Sequence, residues 1–376
     1  MDRPYDIVLF GASGFTGALT AAYLARAAGP GTRWALAGRD RAKLERLGLD
    51  VPILLADATD AGSLAELARR TRVLATTVGP YITYGDPLVA ACADAGTHYL
   101  DLTGEPEFVD RVYVRHHDRA VSSGAKIVHA CGFDSIVFDL GTLYTVSQLP
   151  KDVPLTVSAF LRANARFSSG TLTSAMSIVG RARQAAEAGA RRRSAETGPL
   201  GRRVSARAGG LRYVGGWALP MPTVDPRIVG RSARLLDRYG PDFAYRQHIA
   251  VKTLPAALAV AAGAGAFATL SQVPAVRGWL QSRVKPGEGP SPEQRAKSWF
   301  KVTFLGEGGG ERVVTEVAGG DPGYDETAKM LAESALCLAF DDVPDLAGQL
   351  TTASAMGRPL IDRLRAAGIA FTTRSG

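Results

Sequence analysis

The stretch YDIVLFGASGFTGALTAAYLARA, residues 5–27, decides the fold. Tyr5 to Phe10 reads as a fully buried strand rich in Ile, Val and Leu, and Phe15, Leu19, Ala22 and Tyr23 then recur at helical spacing. Gly11, Gly14 and Gly17 therefore sit at a strand-to-helix turn, where each has a task. Gly11 turns the chain tightly, Gly14 lets backbone approach a pyrophosphate, and Gly17 lets helix and strand pack closely. With Ser13, Phe15 and Thr16 between them, and the free N–H groups of the helix start, they form an expected phosphate cradle. A turn that holds nothing is the alternative.

The following elements favour the cradle. Arg33 to Ala37 reads as a second strand ending in Gly38-Arg39, where an NAD-specific protein carries an acidic residue. Arg39 suits a 2′-phosphate and hence NADPH; the other reading is a solvated arginine that opens the helix DRAKLERL. Val51 to Ala56 is a third strand ending at Asp57, which either meets the adenine edge or caps the helix SLAELARR. Arg72 to Val78 is a fourth, followed by GPYITYGDP, whose Gly79 and Pro80 leave a bare backbone edge at the expected cofactor crevice. Strands alternating with helices in this way predict an α/β Rossmann dinucleotide-binding domain.

At 376 residues with 46% hydrophobic and 21% charged residues, the chain has room for two folded domains. Its three cysteines, Cys92, Cys131 and Cys337, lie far apart without a CxxC pair, which speaks against a disulfide framework or a zinc site. Metal-ligand spacing is absent, and the adjacent His116 and His117 point apart on a helix. The first apolar run is too short for a signal peptide, so a cytoplasmic location is expected. Leu254 to Leu270 is an uncharged, Ala- and Gly-rich run near the lower limit for crossing a bilayer; the default expectation is a core helix, with surface docking next.

The runs YGDPLVAACADAGTHYLDLTGE (84–105) and HACGFDSIVFDLG (129–141) resemble the saccharopine dehydrogenase-like oxidoreductases, within them most closely the mycobacterial trans-acting enoyl reductases. GASGFTG, AGRDRAKLERL, GDPGYDETAKMLAESALCLAF (320–340) and LTTASAMG (350–357) match as well. The resemblance implies an NADP-binding Rossmann domain over 1–140, a second α+β domain built on a mixed sheet over 141–320, and C-terminal helices over 321–376 that return to the first. It also implies reduction of a carbon–carbon double bond in polyketide intermediates of lipid biosynthesis.

Conjugate reduction of an enoyl thioester needs a nicotinamide over the β-carbon, a donor to the thioester oxygen, and a proton source for the α-carbon. Tyr81 and Tyr84 are the leading candidates, because a phenol can donate to an oxyanion and release a proton; packing over the loop is their structural alternative. Glu105 either faces the nicotinamide pocket or caps a nearby helix. Cys131 and Gly132, after the sixth strand, are expected to shape the nicotinamide side, and Cys131 lacks the basic partner a nucleophile needs. Tyr324 and Thr327 border the cleft by resemblance only. Imine reduction of the saccharopine dehydrogenase kind, and a non-catalytic NADP sensor, are the competing functions.

Residues 151–250 hold 17 Lys and Arg against 6 Asp and Glu, an excess of 11 that exceeds the whole chain's +8. The excess is mainly arginine, including Arg191-Arg192-Arg193, Arg202-Arg203, Arg207 and Arg212. An acidic acyl carrier protein, an anionic membrane surface, or simply solvent are the partners this admits besides a hydrophobic acyl-thioester substrate. Nucleic acid is disfavoured because no reader motif accompanies the charge. Residues 185–210 read as a mobile excursion and 282–297 as a surface loop. WFKVTFLGEG and ERVVTEVAGG read as a hairpin, followed by a helix from Asp325 or Thr327.

Overall fold

The computed structural model describes residues 3–165, 180–196, 202–213, 216–270 and 289–374. Its first half alternates strand and helix: β1 (Tyr5–Phe10), α1 (Phe15–Ala27), β2 (Trp34–Gly38), α2 (Arg41–Glu45), β3 (Ile53–Leu55), α3 (Ala61–Arg69), β4 (Thr71–Thr76), α4 (Tyr81–Ala95), β5 (His98–Leu100), α5 (Pro106–Ser123), β6 (Lys126–Val128) and α6 (Phe133–Val146). Ile7, Val8 and Leu9 are wholly buried, as are Ala35, Leu36 and Ala37 beside them. Such continuous apolar strands belong in a parallel sheet covered on both faces.

The second half runs β7 (Leu155–Asn164), α7 (Ala182–Ala195), β8 (Arg203–Ala208), β9 (Arg212–Tyr213), β10 (Trp217–Pro220), α8 (Asp225–Leu235), β11 (Asp242–Val251), α9 (Leu254–Leu270), α10 (Pro292–Ala296), β12 (Trp299–Gly308), β13 (Glu311–Gly319), α11 (Asp325–Phe340), β14 (Gly348–Leu350), α12 (Thr352–Ala355), α13 (Gly357–Ala366) and β15 (Ala370–Arg374). Among the described residues the strands make two sheets. One is parallel with order β14-β6-β5-β4-β1-β2-β3; the other is mixed, with order β15-β13-β12-β7-β11-β10-β9 and β8 beside β11. In the first sheet the order reverses between β1 and β4, which creates a crevice at their carboxyl ends.

Several expectations change at this level. The expected boundary at residue 140 falls inside α6, whose Asp139 accepts bonds from Ser232 Oγ (2.5 Å), Thr352 Oγ1 (2.7 Å) and the Ala353 N–H (2.8 Å). That buried carboxylate ties the two units together. The C-terminal stretch does not simply return to the first unit: α11 packs on α1 and β4 and β14 extends the first sheet, but β15 pairs with β13 of the second. Residues 185–195 and 203–208 of the supposed mobile excursion are helix and strand, and residues 197–201 lie outside the described residues. Within the expected loop 282–297, Pro292–Ala296 is a short helix with a capping box at Ser291 and Gln294, while 282–288 lie outside the described residues. The hairpin forms as expected, in register from Phe300↔Gly319 to Gly308↔Glu311.

Much of the arginine charge is paired within the chain. Arg181 grips Glu107 bidentately at 2.7 Å on both arms, Arg192 and Arg227 reach Asp110 at 2.9 and 2.6 Å, and the guanidinium of Arg231 meets Glu196. Arg192 and Arg231 also lie over the Tyr113 ring at 4.8 and 4.6 Å. These contacts fasten α7 and α8 to α5, so the charge serves the joint between the units. Arg202 closes the end of α8 by donating to the carbonyls of Ala233 (2.9 Å) and Leu236 (2.7 Å), and Arg203 pairs with Asp242 at 3.0 Å.

Candidate active site

The glycine turn lies at the β1/β4 crevice. Gly11 has φ +91, which favours glycine, and an added Cβ there would stand 2.7 Å from the Val78 side chain. Its carbonyl accepts from Thr77 Oγ1 and from the Gly14 N–H, each at 3.0 Å. A Cβ on Gly17 would approach the Gly11 carbonyl oxygen to 2.2 Å, whereas one on Gly14 would meet it only at 3.4 Å. Gly11 and Gly17 are thus needed for the turn itself. Gly14 is not: a side chain there would fit the turn.

Gly14 is also the N-cap of α1, which has no side-chain cap and no acidic residue in its first turn. The N-terminal N–H groups at Phe15, Thr16 and Gly17 and the helix dipole therefore suit an anion. Ser13 is exposed beside them. Phe15 turns toward the second half, edge-on to Tyr324 with centroids 4.8 Å apart and under the Arg295 guanidinium at 5.6 Å. Arg39 is exposed at the end of β2, where a 2′-phosphate would need a cation. Asp57 does not cap α3; that task falls to Asp60, which accepts from the Gly62 N–H at 2.9 Å. Asp57 instead closes a turn by accepting from Thr59 N–H (2.8 Å) and Oγ1 (2.7 Å), bonds that hold its carboxyl below the ordinary range.

Across the crevice, Gly79 and Pro80 are exposed after β4, joined by a cis peptide, and Pro80 caps α4. Two of the three proposed catalytic side chains have structural tasks instead. The Tyr81 hydroxyl donates to the Thr76 carbonyl and accepts from the Leu102 N–H, both at 3.2 Å, and burial pushes the phenol well above its ordinary value. Glu105 accepts from the N–H groups of Tyr81 (3.2 Å) and Ile82 (2.7 Å), so the helix it caps is α4. Burial raises its carboxyl, against the pull of those two donors. Tyr84 differs: it lies in the first turn of α4 and is 37% exposed at the carboxyl edge of the sheet.

The β6–α6 turn is held by a group whose role the sequence did not reveal. Asp101, fully buried, accepts from the N–H groups of Ala130 and Thr103 at 3.0 Å each and pairs with His129 Nδ1 at 2.7 Å. Ala130 is thereby held at φ +57, unusual for a residue with a side chain. The Cys131 side chain does not face the crevice: it is buried with Sγ toward the Val128 carbonyl, and burial raises the thiol far above its ordinary value. Gly132 caps α6, and a Cβ there would come within 2.9 Å of Thr327 Cγ2. Thr327 Oγ1 in turn accepts from the Phe133 N–H at 3.2 Å. The N-terminus of α6 thus lies at the same edge of the sheet as the glycine turn, covered there by Thr327. Asp101 and His129 stand 28 residues apart, and no local pattern joins them.

Glycine turn, uncapped helix start and an arginine just after the second strand, set at a sheet's switch point, mark a dinucleotide-binding Rossmann unit. Comparison with known proteins agrees: the saccharopine dehydrogenase NADP binding domain matches residues 7–128. A Mycobacterium tuberculosis protein provisionally named a trans-acting enoyl reductase is 39% identical over 99% of this chain and 98% of its own. The trans-acting enoyl reductase of Mycobacterium ulcerans is 36% identical over 98% and 97%. Apo saccharopine dehydrogenase (L-Glu forming) from Saccharomyces cerevisiae shares the fold, with a TM-score of 0.58 at 10% identity over 99% of this chain and 100% of that one. The chain belongs to the trans-acting enoyl reductase family of saccharopine dehydrogenase-like oxidoreductases, and its cofactor is NADPH.

Proposed function

We propose that this chain reduces the carbon–carbon double bond of a hydrophobic α,β-unsaturated acyl thioester of polyketide type, carried on CoA or an acyl carrier protein. The single observation that carries this reading is the end-to-end similarity to proteins named trans-acting enoyl reductases. The residues present fit the cofactor: the turn built on Gly11, Gly14 and Gly17 with the uncapped start of α1 would hold the pyrophosphate, and Arg39 would pair with the 2′-phosphate. Bound there, NADPH supplies the hydride for the β-carbon.

The protein's own groups do the rest. Asp101 fixes the β6–α6 turn through Ala130. Tyr84 replaces Tyr81 as the phenol that delivers the proton to the α-carbon, since only Tyr84 is exposed. Steady-state rates with medium- and long-chain trans-2-enoyl thioesters test the reading. NADPH consumption with a saturated acyl product two hydrogens heavier is expected, whereas consumption only with an imine or a 2-oxo acid plus ammonia overturns it.

A further inference from the structure

α9 is apolar around its whole circumference, yet it lies on the surface. Leu254, Leu258, Val260 and Leu270 are 47%, 61%, 39% and 50% exposed, while Ala257 is buried at its root, where the helix meets β10 and β11. A helix without a polar face normally sits in a core or in lipid. Gly263 and Gly265, whose added Cβ atoms would meet nothing, weaken it further in water. This departs from the core helix expected of the sequence, and an apolar surface of this kind marks an interaction site.

Charge selects the occupant. The strands around the root of α9 carry Arg207, Arg212 and Arg246, and Lys252 precedes the helix by two residues. Arg207, Arg212 and Lys252 are exposed and, among the described residues, have no carboxylate partner. No acidic residue occurs over 203–224 or 243–270. A second copy of the chain would set this basic collar against itself in a symmetric contact. An anionic lipid surface offers hydrocarbon for α9 and negative charge for the collar. At about 25 Å the helix is shorter than a hydrocarbon core of about 30 Å, so it fits along the interface rather than across it. No helix among the described residues is long and apolar enough to cross a membrane.

We infer that α9 and its arginine–lysine collar form a docking surface for anionic membranes, independent of which substrate the enzyme reduces. The test is co-sedimentation of the full chain with vesicles of phosphatidylglycerol or of phosphatidylcholine, at low and high salt. Binding to the anionic vesicles only, weakened by salt, is expected. Leu258→Glu should reduce it at least tenfold and Arg212→Gln about fivefold, both variants keeping wild-type NADPH affinity as proof of folding. Absence of binding to either vesicle, equal binding to both, or binding that survives Leu258→Glu each overturns the inference. A dimer that Leu258→Glu dissociates, without vesicle binding, overturns it in favour of self-association.

Discussion

Replacing Gly14 and Gly17 separately by alanine distinguishes a cofactor cradle from a mere turn. An alanine Cβ at Gly17 would lie 2.2 Å from the Gly11 carbonyl oxygen and 2.9 Å from Ala12 Cα, both rigid backbone. Overpacking of that kind costs about 3 kcal/mol, which for a chain of this length lowers Tm by about 4 °C. At Gly14 the backbone is extended, φ −77 and ψ 164, and the nearest atom would be 3.4 Å away, so alanine fits the fold. Its loss as N-cap costs about 1 kcal/mol, or about 1 °C. The same Cβ, however, occupies space that a pyrophosphate needs when it approaches the start of α1, which should weaken NADPH binding about tenfold to a hundredfold, or about 1.4 to 3 kcal/mol. Fluorescence titration with NADPH and a thermal melt of the apoprotein read the two effects separately. Wild-type affinity in Gly14→Ala would refute the cradle, and a melt as damaged as that of Gly17→Ala would show that Gly14 serves the turn after all.

Arg39→Ala should weaken NADPH at least tenfold and leave NADH unchanged, because only the former carries the 2′-phosphate that a charge-assisted pair would hold; titration with both nucleotides checks this. Tyr84→Phe should lower kcat about a hundredfold at unchanged Tm, while Tyr81→Phe, which removes the donor to the Thr76 carbonyl, should cost about 1 kcal/mol of stability; steady-state rates beside thermal melts separate them. Burial holds His98 down at about 4 against 6.5 for the ordinary imidazole, and its Nδ1 accepts from the Lys126 N–H at 3.1 Å. Between those values the unfolded chain takes up a proton that the folded one refuses. Stability is therefore present at neutral pH and lost as pH falls, by about 2 kcal/mol from pH 7 to pH 5. Denaturant unfolding should show that difference shrinking in His98→Gln, which cannot charge.

Local chemistry made the first unit legible. Gly11 and Gly17 announce themselves because the contacts they permit lie within a few residues or across one strand pair, and the apolar run Ile7 to Leu9 tells of a strand covered on both faces. The tasks of Tyr81 and Glu105 were ambiguous for the opposite reason: each is settled by a partner on another element, the Leu102 N–H for one and the start of α4 for the other. Long-range ion pairing hid the use of Arg181 and Arg192 in the same way, since composition shows their charge but not Glu107 and Asp110 across the joint. α9 reads as core by composition and turns out exposed, because periodicity reports what a helix is made of and not what covers it.

Enoyl reduction by this protein is tested most directly by a single turnover of the purified protein with NADPH deuterated at the transferable position and a trans-2-enoyl thioester, followed by mass and NMR analysis of the acyl product. One deuterium at the β-carbon and a solvent-derived proton at the α-carbon are expected. A product without deuterium, or deuterium transferred only to the carbon of an imine, would contradict it.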